Sequence, residues 1–208
     1  MPWESWTLYV ATVLALMSAP GPSHLLMLSN SMAHGFRPSL ATAVGDLSAN
    51  LLQMLAAGLG LAALLAASQD ALTVVKWAGA AYLAWMAVQM WRRAGRRADA
   101  ESARAPRLRQ LWLQGFLTSA ANPKAVVFFA ALFPQFIDPA LPFGPQFAIL
   151  SVTYLAIDGA FLTAYGAGAS WAAARLTGAA RRWIDRAGAC CLLLAALLLG
   201  LKTLRESA

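Results

Sequence analysis

The chain has 208 residues, of which 60% are hydrophobic and only 12% charged, where a soluble domain carries about a quarter charged. That deficit excludes an ordinary water-soluble enzyme or binding domain. The net charge of +7 would suit a nucleic-acid partner, but the basic residues sit in short clusters between apolar runs, where membrane topology accounts for them.

A helix needs about 20 apolar residues to cross a bilayer. Six runs reach or approach that length: roughly 5–33, 39–67, 71–91, 112–136, 145–171 and 187–204. Met1-Pro2-Trp3-Glu4 offers no basic start and the first run is too long for a secretory leader, so no cleaved signal is expected. The first run contains Ser18-Ala19-Pro20-Gly21-Pro22. Proline removes a helix donor and clashes with the preceding turn, so the helix is expected to break there. Gly35-Phe36-Arg37-Pro38 ends this run, and Ser68-Gln69-Asp70 ends the second. The stretch from Arg92 to Arg109 follows the third. The fourth run breaks like the first, at Ser119-Ala120-Ala121-Asn122-Pro123-Lys124. A proline-rich segment, Asp138 to Pro145, then leads into the fifth, and Gly178 to Arg186 into the sixth. Cys190 and Cys191 are adjacent inside the last run and read as two small hydrophobes in a helix.

Orientation follows the positive charge. Loops after the odd-numbered runs hold Arg37, then Arg92, Arg93, Arg96, Arg97, Arg104, Arg107 and Arg109, then Arg175, Arg181, Arg182 and Arg186. The other side holds only Lys76, Lys202 and Arg205. This bias puts the arginine loops in the cytoplasm and both termini outside. The expected fold is therefore an all-α integral membrane protein with six transmembrane helices. It forms one membrane domain over 1–208, with halves of about 1–91 and 112–204 joined by a cytoplasmic arginine-rich loop of about 92–111. Three spans per half force an inverted-topology 3+3 repeat with helices 1 and 4 broken.

Each half also carries an intramembrane aspartate, Asp46 in the second run and Asp158 in the fifth. A carboxylate at the bilayer centre costs about 2.5–3.5 kcal/mol on insertion scales, so it needs a proton, a ligand or a hydrogen-bonding partner. Asn50 and Gln53 follow Asp46 on one helical face, and Tyr154 and Tyr165 share the face of Asp158. Lys124 is the basic residue deep within a span and is expected to need an anionic partner: Asp46, Asp158 or a substrate carboxylate. Half-helices starting after Pro22 and Pro123 would turn free N–H groups and a positive dipole end toward the midplane, which suits a carboxylate. The carbonyls before each break suit an ammonium group. His24 follows the first break as a lining residue, and Gly166 and Gly168 would allow close helix approach. No metal-ligand cluster, nucleophile elbow or phosphate-cradling loop is found in the sequence, so no cofactor, metal or catalytic residue is expected.

Ala19-Pro20-Gly21-Pro22, Gly45-Asp46, Lys76-Trp77-Ala78-Gly79-Ala80-Ala81-Tyr82-Leu83, Asn122-Pro123-Lys124 with Phe128-Phe129, and Pro134-Gln135-Phe136 together resemble the LysE/RhtB amino-acid exporters over nearly the whole chain. The resemblance implies a bacterial inner-membrane exporter of amino acids or their derivatives, driven by protons and dimeric. Its partners would be the substrate, protons and the lipid bilayer. It carries function onto Pro20, Gly21, Pro22, Asp46, Asn122, Pro123 and Lys124, and onto Asp158; Asn50 joins them by its place beside Asp46. Ser23-His24 departs from the family pattern. The expected mechanism is proton-coupled antiport by alternating access. The rival readings are export of a metal cation or another small solute, a passive channel, and an intramembrane redox carrier or enzyme.

Overall fold

Proline decides where the first apolar run bends. In the computed structural model, helix α1 (Trp3–Ser18) ends before Pro20, and helix α2 (Pro22–His34) starts with its proline at the first helical position. There the missing N–H costs nothing. The two helices are bent by 56° at the break. The structure describes residues 1–59, 107–122 and 133–175, together with residues 77, 81, 84, 85, 87, 88, 91, 92, 124, 125, 128, 129, 179, 183, 186–190, 193, 194, 196, 197 and 201. Pro123, residues 93–106 of the arginine-rich loop, Cys191 and most of the third and sixth runs lie outside the described residues.

Gly35 turns the chain from α2 directly into α3 (Phe36–Gly58). Its φ of 84° is one that a side chain disfavours. The turn is held by Gly35 N–H donating to the Ser31 carbonyl at 2.9 Å and by Ser39 Oγ donating to the Gly35 carbonyl at 2.8 Å. Helix α4 (Leu108–Ala120) begins four residues before the fourth apolar run, because Leu108 and Arg109 continue the helix into the boundary region. A 3-10 turn (Phe133–Phe136) and α5 (Phe143–Arg175) complete the described elements. The described residues of the third and sixth runs are helical, and no strand occurs among the described residues.

α3 and α5 are each long and apolar enough to cross a membrane, and the bent α1–α2 pair passes the same test together. With 33 residues, α5 rises about 50 Å, well beyond the roughly 30 Å hydrocarbon core. Only 28% of its most apolar stretch is buried inside the protein. Leu8, Leu14, Leu52, Val152 and Trp171 stay on the outside. Such a surface suits lipid and would aggregate in water.

Two features place the interior. Tyr9, Phe128, Phe129, Phe133 and Tyr154 form an aromatic cluster between α1 and α5. Tyr9 is anchored there by donating to the Leu150 carbonyl at 3.1 Å. At the other feature, α3 and α4 touch backbone to backbone. A Cβ on Gly45 would land on the Trp112 carbonyl oxygen, and one on Gly115 on the Thr42 carbonyl oxygen. Gly166 likewise packs inward, against Met27 and Ser31, whereas Gly168 meets nothing within 4 Å.

Gly45→Ala or Gly115→Ala must push α3 and α4 apart. Each should lower the thermal midpoint of the detergent-solubilised protein by the equivalent of about 1–3 kcal/mol; an unchanged midpoint would contradict this crossing.

Candidate functional site

Asp46 sits on α3, ten residues from the start of that helix, and Asn50 follows one turn later on the same face. Asp158 reaches the same point from α5. Both carboxylates are about 2% exposed. Asn50 joins them. Its Nδ2 donates to Asp46 Oδ2 at 2.9 Å and to Asp158 Oδ2 at 2.7 Å, and its Oδ1 accepts from Ser119 Oγ at 2.8 Å. One amide thus spends both hydrogens on two acids and is oriented by a serine on α4. Asp46 Oδ1 is buried with no hydrogen-bond partner.

The two breaks meet beside this pair. At Gly21 an added Cβ would lie 3.9 Å from Asn122 Nδ2 and 3.9 Å from both Cδ and Nζ of Lys124, so the first break packs on the second. Asn122 Oδ1 accepts the Lys124 main-chain N–H at 3.1 Å, which caps the helical residues that follow. His24 Nδ1 accepts the Gly21 N–H at 3.3 Å and so ties down the start of α2. Gln53 Nε2 reaches the Ser119 and Ala120 carbonyls at the end of α4, each at 3.4 Å.

Of the partners expected for Lys124, the two aspartates are not the ones it meets. No ion pair to Asp46 or Asp158 is formed; Lys124 Nζ donates to the Ala19 carbonyl at 2.8 Å. The reason is local. The break at Pro20 leaves the last carbonyls of α1 without helical donors, and the dipole makes that end negative. The lysine therefore occupies one of the carbonyls expected to receive a substrate ammonium.

A residual cavity of about 10 Å³ lies among Asp46, Asn50, Asp158, Lys124, His24 and Tyr154, room for about one water. Ser23, Ser119 and Asn122 also line it. Of the residues expected from sequence, Asp46, Asn50, Asn122, Lys124 and Asp158 thus converge on one cavity. Gly21 supports it from behind, Pro22 starts α2, and Pro20 is exposed at the break. Pro123 lies outside the described residues. Ser23 and Ser119 were not singled out as site residues. Ser119 had a signal in its place just before the second break, and Ser23 had only its adjacency to Pro22.

A family model for the LysE type translocator matches residues 14–203. The chain belongs to that family. It is 35% identical to the homoserine/homoserine lactone efflux protein of Salmonella typhimurium over 178 residues, 86% of each chain. It is 35% identical to an uncharacterized membrane protein of Vibrio cholerae over 162 residues, 78% of this chain and 79% of the other. It is 31% identical to the leucine efflux protein of Enterobacter sp. (strain 638) over 172 residues, 77% of this chain and 81% of the other. No solved structure matches it. Membership of this translocator family and the apolar helices make the chain a multi-pass membrane transporter.

Asn50→Leu strips the donor from both carboxylates at once. It should lower the thermal midpoint in detergent by the equivalent of about 2–4 kcal/mol. Adding Asp158→Asn, which puts an amide beside Asp46, should restore part of that loss; no restoration would show that Asn50 does not serve the acid pair.

Proposed function

We propose that the protein is a proton-coupled exporter of amino acids or amino-acid derivatives, working as an antiporter by alternating access across the bacterial inner membrane. The observation that carries this reading is the charge inventory of the cavity. Two buried carboxylates share one neutral amide, and a single lysine stands nearby. Two like charges held together in a low-dielectric interior repel strongly. One further positive charge relieves that repulsion, and either a proton or a substrate ammonium supplies it. Because the same acids serve both, loading one expels the other, which is what exchange in opposite directions requires.

The names of the relatives favour an ammonium as the recognised group. Homoserine, its lactone and leucine differ in side chain, and the lactone has no free carboxylate, but all three carry an amine. In this reading the ammonium meets Asp46 and Asp158. A substrate carboxylate, where present, draws Lys124 away from the Ala19 carbonyl. That exchange releases the end of α1 at the bend and links binding to helix movement. A cavity of about 10 Å³ cannot hold an amino acid, so substrate entry needs the helices to part; the state described is closed around its acids.

The topology completes the reading. Six spans form a 3+3 inverted repeat of halves 1–91 and 112–204 within a single domain, with both termini periplasmic and the arginine loops cytoplasmic. Pro123 mirrors Pro22 at the second break. The homodimer implied by the family resemblance has exposed apolar helix faces available to it, Gly168 among them.

Asp46→Asn removes one acid while keeping its size and one acceptor. It should abolish pH-driven amino-acid efflux from loaded vesicles at unchanged protein abundance. Unaltered efflux would take Asp46 out of the mechanism.

A further inference from the structure

His24 is the third residue of α2, is 3% exposed, and lines the central cavity. Its ring state follows from a neighbour. A main-chain N–H can only donate, so the Gly21 N–H assigns the lone pair to Nδ1, and the neutral ring carries its proton on Nε2. Nε2 is buried with no hydrogen-bond partner. A buried donor without an acceptor is costly and uncommon in packed protein. The ring is also confined, with its centroid 4.9 Å from Tyr165 and 6.3 Å from Phe161. It cannot swing freely toward another acceptor.

The charged groups of the cavity are already assigned. Asp46 and Asp158 suit an ammonium, and Lys124 suits a carboxylate, the two ends shared by all amino acids. Both hydrogens of the Asn50 amide are in use. The Nε2–H of His24 is a donor left over for the part of the substrate that varies.

We propose that His24 is a specificity-determining residue that donates its Nε2–H to an oxygen on the substrate's side chain. The transporter then favours amino acids with a hydroxyl or carbonyl oxygen there over aliphatic ones of equal size. This inference rests on the amino-acid export reading above and names the substrate class for the same site.

The test uses homoserine and norvaline, which differ by a hydroxyl in place of a methyl. Full-length protein in vesicles is loaded with each, and kcat/KM for efflux is measured. The wild type should favour homoserine about tenfold. His24→Phe keeps a ring but removes the donor and should bring the ratio close to one. His24→Gln offers an acceptor to the Gly21 N–H, as glutamine does at the third position of a capping box, and also a donor; it should keep most of the preference. A loss of rate for both substrates with an unchanged ratio would show that His24 only caps α2, and would overturn the proposal. If His24→Phe does not fold, the wild-type ratio decides, and a ratio of one overturns it. Efflux of no amino acid at all by the wild type would overturn the export reading itself, and this inference with it.

Discussion

The hydrogen bonds from one Asn50 amide to two buried carboxylates are the interaction on which the centre of the protein depends. Asp46 and Asp158 come from helices far apart in sequence, and the shared donor ties α3 to α5 through them. Asn50 satisfies one oxygen of each at 2.9 and 2.7 Å. Ser119 on α4 holds the opposite face of the amide. This arrangement requires α4 to lie very close to α3, and the backbone contact at Gly45 and Gly115 permits it. The glycines at the crossing and the acids at the centre are therefore parts of one constraint.

Broken helices at membrane depth survive only if their freed backbone groups find partners. Here the two breaks largely serve each other. Lys124, just after the second break, caps the Ala19 carbonyl at the first. Asn122 and His24 each accept a main-chain N–H at the start of the helical residues that follow their break. Gln53 reaches across from α3 to the carbonyls that close α4. A substrate that competes for any of these groups necessarily disturbs the helix end it holds. The site is thus built from the same bonds that keep the irregular backbone tolerable, which couples occupancy to conformation.

Much of this was legible in the chain because proline and intramembrane charge act locally. The break after Ser18, the start of α2 at Pro22 and the presence of acids at Asp46 and Asp158 within apolar runs follow from residue type and spacing. Other features were not legible. The extra turn at the start of α4 escaped because Arg109 interrupts the apolar run without interrupting the helix. That Lys124 meets a carbonyl rather than either aspartate was not legible, because the negative end of α1 matters only once the two breaks are adjacent. Ser119 and Ser23 gave little warning, since a serine in a span is common and its role depends on what faces it.

Sequence alone determined that the chain lives in a membrane, that its first helix must bend at Pro20–Pro22, and that costly acids and a lysine lie within its spans. These are consequences of composition and of backbone chemistry within a few residues. Only the tertiary structure decided which oxygen takes which hydrogen: that Asn50 lies between the acids, that Lys124 holds a carbonyl rather than a carboxylate, and that His24 keeps a donor in reserve. Those choices depend on distances of about 3 Å between helices separated by as many as 108 positions, and no local pattern encodes such distances.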